Sequence, residues 1–114
     1  MNEGREEIRI YEDKIYNSRE MQKQNGCTTD YEFNYEEGTF EGILQLKAQS
    51  FNGPLRLFFQ FVDGRKIIVL TWWYDRYAGM KDVPVGSRMS LTFVKKTKGV
   101  FLAKGEIIGR AENL

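Results

Sequence analysis

The sequence predicts a mainly β protein with one folded core, and three observations carry this prediction. From Tyr31 onward, apolar and polar residues alternate with a period of two, the pattern of strands that bury one face. Asp63-Gly64 separates two such runs, and this pair favours a tight hairpin turn because both central residues need positive φ. The chain has 114 residues, of which 41% are hydrophobic, which suffices for one core without metal or disulfide support.

Five segments of the chain are predicted as strands. The first runs from Thr39 to about Ser50, with Phe40, Gly42, Leu44, Leu46 and Ala48 on one face. Gly42 marks a place where this strand is expected to bend, since it carries no side chain. The other four strands are expected at residues 55–62, 65–73, 87–95 and 100–108. Residues 74–84 break the alternation and are predicted as a connector.

The first 38 residues are predicted as an acidic N-terminal arm. The spacing of Ile8, Tyr11 and Ile15 favours a helix up to about Lys23, although Ile8 and Ile10 also fit a short strand. Within residues 31–35, aromatic side chains alternate with polar ones and can add a sixth strand. The predicted division is therefore an arm at 1–38 and a β-barrel domain at 39–114.

The net charge of +1 hides a division along the chain. Residues 1–42 hold five basic and eleven acidic side chains, a net charge of −6. Residues 43–114 hold twelve basic and five acidic side chains, a net charge of +7. Such a division is expected of a protein whose basic part binds a nucleic acid or another anionic partner. It is equally expected if the two parts attract each other or if the cations are spread over every outward face.

The composition excludes most familiar catalytic centres. The chain has no histidine, which removes Ser-His-Asp and Cys-His nucleophilic sites and histidine-based zinc sites. Cys27 is the only cysteine, so no internal disulfide forms, and a lone thiol suits a reducing compartment. Neither a calcium loop nor a phosphate-binding glycine loop is present. We therefore expect no enzymatic activity, no catalytic residues, no metal site and no cofactor.

Membrane and export signals are not predicted either. No run approaches the ~20 apolar residues that cross a bilayer, and the polar start, Met-Asn-Glu-Gly-Arg, does not resemble a secretory signal. The expectation is a cytoplasmic protein with no membrane contact.

The strand order after Thr39 is a three-stranded meander, a connector and a two-stranded hairpin. That order resembles the OB fold (oligonucleotide/oligosaccharide-binding), a five-stranded Greek-key barrel, over residues 39–108. The resemblance is one of strand order and length and includes no sequence motif; SH3-like and small split barrels fit the same order. It implies a small, closed, antiparallel barrel of five or six strands, preceded by an N-terminal helix or arm.

The resemblance also implies a ligand face on the second and third barrel strands, residues 55–62 and 65–73. If Leu57 and its alternating neighbours point inward, Arg56, Phe58 and Gln60 point outward. An exposed Phe beside a cation is suited to stacking a base while neutralising a phosphate. The candidate nucleic-acid-binding residues are Arg56, Phe58, Gln60, Arg65, Lys66, Trp72, Arg88, Lys95, Lys96 and Lys98.

Each of these residues also has a purely structural interpretation. Phe58 and one of Trp72 and Trp73 can pack beneath the predicted N-terminal helix, and the three late lysines can be a solvated hairpin tip. The predicted function is a non-catalytic module that binds single-stranded nucleic acid through a basic and aromatic barrel face. The alternative is a protein–protein interaction module, such as a subunit, a homodimer or a small inhibitor from a phage or mobile element.

Overall fold

The computed structural model describes residues 9–19, 31–33, 35–51, 53–71 and 82–110, which contain one six-stranded sheet. The strands are β1 (Ile15–Asn17), β2 (Gly38–Gln49), β3 (Leu55–Phe61), β4 (Lys66–Thr71), β5 (Ser87–Lys96) and β6 (Gly99–Arg110). The prediction of a mainly β protein is confirmed. The described residues contain no helix that is long and apolar enough to cross a membrane.

The sheet is built around the long strand β2. Its strand order is β4-β3-β2-β5-β6, and each of these neighbouring pairs is antiparallel. On one edge of β2, residues 38–43 pair with β5 and residues 47–49 pair with β1. The β1–β2 pair is parallel, so the prediction of a purely antiparallel sheet is correct only for the other five strands.

The helix predicted near the N-terminus is wrong for residues 9–17, which are extended or bent and include β1. The physical reason is that β5 leaves β2 after Ile43, so the backbone groups beyond that residue need other partners. Strand β1 supplies most of them, and the Tyr11 amide donates a hydrogen bond of 2.9 Å to the Gln45 carbonyl. Residues 5–8 and 20–24 of the predicted helix lie outside the described residues.

A β-bulge in β2 overturns the prediction that five of its residues share one face. Leu44 pairs with Phe59 and Leu46 pairs with Phe58, which leaves Gln45 as an extra residue between them. As a result, Leu44 and Leu46 lie in different hydrophobic clusters. Gly42 has another role, because a Cβ built there would lie 2.6 Å from Cδ1 of Phe61.

Two hydrophobic clusters cover the two faces of the β2–β3–β4 meander. The first core is formed by buried residues of β2, β3, β4 and β5: Leu44, Leu55, Leu57, Phe59, Phe61, Ile67, Val69, Met89, Leu91 and Phe93. Partly buried residues pack at its margin: Tyr35, Phe40, Val83, Val100 and Leu102. The second core is smaller and contains Leu46, Ala48, Phe58 and Ile68, against which Tyr11, Tyr16 and Tyr31 of the N-terminal arm pack. Both faces of the meander are therefore buried.

The sheet is not closed within the described residues, because β4 and β6 form its two ends and do not pair. Part of the N-terminal arm lies beside β4 instead. The Glu32 amide donates to the Lys66 carbonyl, and the Ile68 amide donates to the Glu32 carbonyl, each at 2.9 Å. Among residues 31–33 and 35, which the structure describes, Glu32 forms an isolated parallel bridge with Ile67 in place of the predicted sixth strand. Closure into a barrel stays a prediction.

Candidate nucleic-acid interface

Phe58, the predicted base-stacking residue, lies inside the protein with 2% of its surface exposed. It belongs to the second core, where the ring of Tyr31 meets it edge-on at a centroid distance of 5.1 Å. The expectation that Phe58 is exposed is therefore wrong. The alternation placed it correctly on the face opposite Leu57, but the N-terminal arm covers that face.

Gln60 is also buried, with 6% of its surface exposed, and it takes part in a hydrogen-bond network instead of facing solvent. Gln45, the extra residue of the bulge, donates from Nε2 to Gln60 Oε1 at 3.2 Å and to the Arg9 carbonyl at 2.9 Å. The Tyr31 hydroxyl donates to Gln45 Oε1 at 2.5 Å. The network gives the buried side-chain amides of Gln45 and Gln60 hydrogen-bond partners, and it links Arg9 and Tyr31 of the arm to the sheet.

Arg65 is held at the β3–β4 turn by two carboxylates and two rings. Its guanidinium lies 2.9 Å from Asp63 and 3.4 Å from Glu36, and it stands 4.5 Å above the Phe40 ring centroid. The side-chain hydrogen bond that Arg65 donates to Asp63 lowers the pKa of Asp63 and raises the pKa of Arg65. Arg65 is thus a structural cation over the rim of the first core, where its charge is already neutralised.

The remaining candidates of the β3–β4 face are dispersed. Arg56 is half-buried on β3, and its Nε is buried without a hydrogen-bond partner in the described part of the chain. Lys66 is half-buried, with its ammonium 5.9 Å from the Tyr31 ring centroid. Trp72 lies outside the described residues. The structure therefore does not bring these side chains together into one binding face.

Arg88 on β5 forms an ion pair with Glu41 of the neighbouring strand β2. The two side chains come together because Arg88 pairs with Ile43 and Glu41 pairs with Ser90 in the antiparallel ladder, on the outward face. Arg88 retains partial exposure, but its charge is compensated within the sheet.

Lys95, Lys96 and Lys98 are the candidates that remain exposed and without an ion pair to any described residue. They lie at the end of the β5–β6 hairpin, which continues beyond the rest of the sheet. The last residue of β5 that pairs with β2 is Phe93, opposite Gly38. Residues 94–101, called the hairpin end below, are therefore paired only within the hairpin.

Two residues that sequence reasoning missed lie on the same face of this hairpin as Lys96. Phe101 pairs with Val94 and is 45% exposed, and Lys104 pairs with Thr92. Since alternate residues of β5 share a face, Thr92, Val94 and Lys96 project to one side together with these two partners. A register shift between Thr92 and Phe93 puts Phe101 and Lys104 on one face although they are three residues apart. The sequence carries no local signal for that shift.

Phe51 is a third exposed residue that the sequence analysis did not single out. It stands in the loop between β2 and β3 with 93% of its surface exposed. The sequence indicates this exposure, because Phe51 lies beside a Gly-Pro turn, where a large aromatic side chain has no strand face on which to be buried.

One acidic side chain with a shifted pKa ties the arm to the sheet. Asp13 accepts a hydrogen bond of 3.0 Å from the Val85 amide and lies 3.5 Å from the Lys47 ammonium, whose side chain is only 5% exposed. The Val85 hydrogen bond, more than the charge of Lys47, lowers the pKa of Asp13. Among the described residues, no group of three or more acidic or cysteine side chains is arranged to hold a metal ion.

Comparison with protein-family models, with curated proteins and with solved structures gave no match in any of the three searches. The function is therefore argued from the charge, exposure and arrangement of the side chains just described.

Proposed function

We propose that this protein is a non-catalytic module that binds single-stranded nucleic acid through the end of its β5–β6 hairpin. The observation that carries the proposal is the set of three exposed lysines at the end of a projecting hairpin. Lys96 shares the face of the half-exposed Phe101, Lys95 lies on the opposite face and Lys98 lies in the turn. The site thus differs from the β3–β4 face inferred from the sequence, because that face is covered or neutralised.

The charge of the hairpin supports an anionic ligand. Residues 87–110 hold six basic side chains and one acidic side chain, a net charge of +5. Two of the six, Arg88 and Lys104, have carboxylate partners within the sheet. The three lysines of the hairpin end have none there, so phosphate groups can displace counterions from them.

Phe101 supports a single-stranded ligand over a duplex. On its face of the hairpin, Lys96 lies toward the turn and Lys104 toward the sheet. Lys104 is paired with Glu106, whereas Lys96 has no ion pair among the described residues. An exposed ring beside Lys96 suits an unpaired base stacked on the ring with its phosphate on that lysine. A duplex keeps its bases stacked on each other and offers no free base face to the ring.

The strand pairing adds support for an OB-like interpretation. The β2–β3–β4 meander and the β5–β6 hairpin follow the order predicted from the sequence, and the β2–β5 pair joins them into one sheet. In OB folds, the loop between the last two strands is one of the loops that bind oligonucleotides. In this interpretation, the turn of the β5–β6 hairpin is the equivalent loop.

A titration of a fluorescent single-stranded oligonucleotide, followed by anisotropy, tests the proposal. We expect saturable binding that weakens by at least about tenfold between roughly 50 and 200 mM salt, and weaker binding to a duplex of the same length. Phe101→Ala is expected to lower the affinity by about fivefold or more. Phe33→Ala is the matched control, since Phe33 is 48% exposed on the N-terminal arm. No binding at low salt would overturn the proposal.

A further inference from the structure

The outer edge of β6 pairs with no other strand in the described part of the chain, and its sequence is complementary to itself. We propose that two copies of this chain pair through β6, antiparallel, with the two-fold axis at Gly105. The proposal does not depend on nucleic-acid binding.

Strand β6 has the exposure that edge pairing needs, and its residues 104–107 are regularly paired with β5 between two register shifts. It spans twelve residues at one end of the sheet, and in the described part of the chain it pairs only with β5. Its outer row of backbone N–H and C=O groups therefore lacks a strand partner there. Such edges pair readily with another strand unless charge or distortion prevents it. Near its end, Ile107 and Ile108 are 53% and 50% exposed, which is unusual for residues of this type in a strand.

The charges of β6 select one register and identify a second copy as the occupant. With Gly105 opposite its own counterpart, Lys104 stands opposite Glu106 of the second copy, and Glu106 stands opposite the second copy's Lys104. Within one chain these two side chains share a face and lie 3.0 Å apart, with exposures of 65% and 56%. In the dimer the four charges would alternate in sign around the axis, each next to two of opposite sign.

Neighbouring registers are unfavourable. A shift of two residues one way puts Lys104 opposite Lys104 of the second copy, and a shift the other way puts Glu106 opposite the second copy's Glu106. Directly opposed like charges destabilise a strand pair. An unrelated partner would have no reason to match this two-fold pattern.

Edge pairing leaves the nucleic-acid face accessible. The strands join edge to edge, so the face of the hairpin that carries Lys96 and Phe101 is not covered by the second copy. The two hairpin ends then point in opposite directions, because the β6 strands are antiparallel. Dimerisation and nucleic-acid binding can therefore be measured separately.

The test is a charge exchange across the axis, with the molar mass measured by light scattering after size exclusion. Wild type is expected to be a dimer. K104E places glutamate opposite Glu106 of the second copy, and E106K places lysine opposite Lys104 of the second copy. Each variant alone is therefore expected to raise the dimer dissociation constant by about tenfold or more. An equimolar mixture of the two is expected to dimerise again, because every pair across the axis then has opposite signs.

The doubly exchanged variant K104E/E106K is the internal control. It restores opposite signs across the axis of a homodimer and is expected to dimerise like wild type. Recovery of the dimer would show that the single variants lose it through charge repulsion and not through misfolding. Circular dichroism of each variant checks the fold. A monomeric wild type, a dimeric K104E or a mixture that stays monomeric would each overturn the proposal.

Discussion

The ring of Tyr31 stands perpendicular to the ring of Phe58, with the planes at 90° and the centroids 5.1 Å apart. Tyr31 belongs to the N-terminal arm and Phe58 to the centre of β3, so the contact joins parts of the chain that are 27 residues apart. Together with the Tyr31–Gln45 hydrogen bond, it makes the arm part of the folded domain. The second core exists only because the arm covers the outer face of the meander.

Phe58→Ala is expected to destabilise the protein by about 3–5 kcal/mol, because it leaves a cavity in the second core. Phe51→Ala is the matched control, and since Phe51 is 93% exposed its change is expected to stay within about 0.5 kcal/mol. Urea unfolding followed by fluorescence measures both. Equal stabilities of the two variants would show that Phe58 is not buried beneath the arm.

Gly42→Ala is expected to destabilise the protein by about 1–3 kcal/mol. The added Cβ would lie 2.6 Å from a ring carbon of Phe61, which is itself buried in the first core. Gly109→Ala is the control, because a Cβ there meets no atom within 4 Å. The same unfolding assay compares the two, and a harmless Gly42→Ala would contradict the close approach of β2 and β3 at this position.

The carboxylate of Asp13 is expected to contribute stability at neutral pH that disappears in acid. Its pKa in the folded protein lies below the ordinary value of 3.8. The contribution is therefore present above pH ~4 and declines as the pH falls through the folded value. Asp13→Asn keeps an acceptor for the Val85 amide but removes the charge, and is expected to cost about 1 kcal/mol or less. The unfolding midpoints of wild type and Asp13→Asn are compared from neutral pH down to pH ~3, and the difference between them is expected to shrink in acid. A difference that grows as the pH falls would contradict the stabilising role of the Asp13 carboxylate.

Tyr35→Phe tests the other end of the arm. The Tyr35 hydroxyl donates a hydrogen bond of 2.7 Å to the Ile68 carbonyl, and its ring stacks on Phe93. Burial raises the pKa of Tyr35, so the neutral hydroxyl contributes stability that is present below pH ~10 and lost at higher pH. The substitution is expected to cost about 0.5–1.5 kcal/mol and to keep the stacking. An unchanged thermal midpoint would show that this hydrogen bond does not fasten the arm.

Local patterns predicted the parts of the fold that depend on neighbouring residues. The hairpin across Asp63-Gly64 is present, and Met89, Leu91 and Phe93 form the inner face of β5 as the alternation indicated. The bulge at Gln45 was not predictable, because a period-two pattern carries no mark of an inserted residue. It changed the face of Leu46 and of Ala48, which the pattern had placed with Leu44.

The candidate site depended on contacts that are distant in sequence. Phe58 was assigned an outward face correctly, but its cover comes from Tyr31. The charge of Arg88 is compensated by Glu41, a residue 47 positions away in the sequence. By contrast, the exposure of the three hairpin lysines follows from their local position at a turn, and it holds in the structure.

The salt dependence of oligonucleotide binding by a K95S/K96S/K98S variant tests the central claim most directly. Three lost phosphate contacts are expected to reduce the slope of log affinity against log salt by about 2 for a single strand. R9S/K14S/R19S is the matched control: it removes the same charge from three exposed residues of the N-terminal arm, beside the other half of β2. For this control we expect the wild-type slope of log affinity against log salt. Equal losses of slope in the two triple variants would contradict a site at the hairpin end.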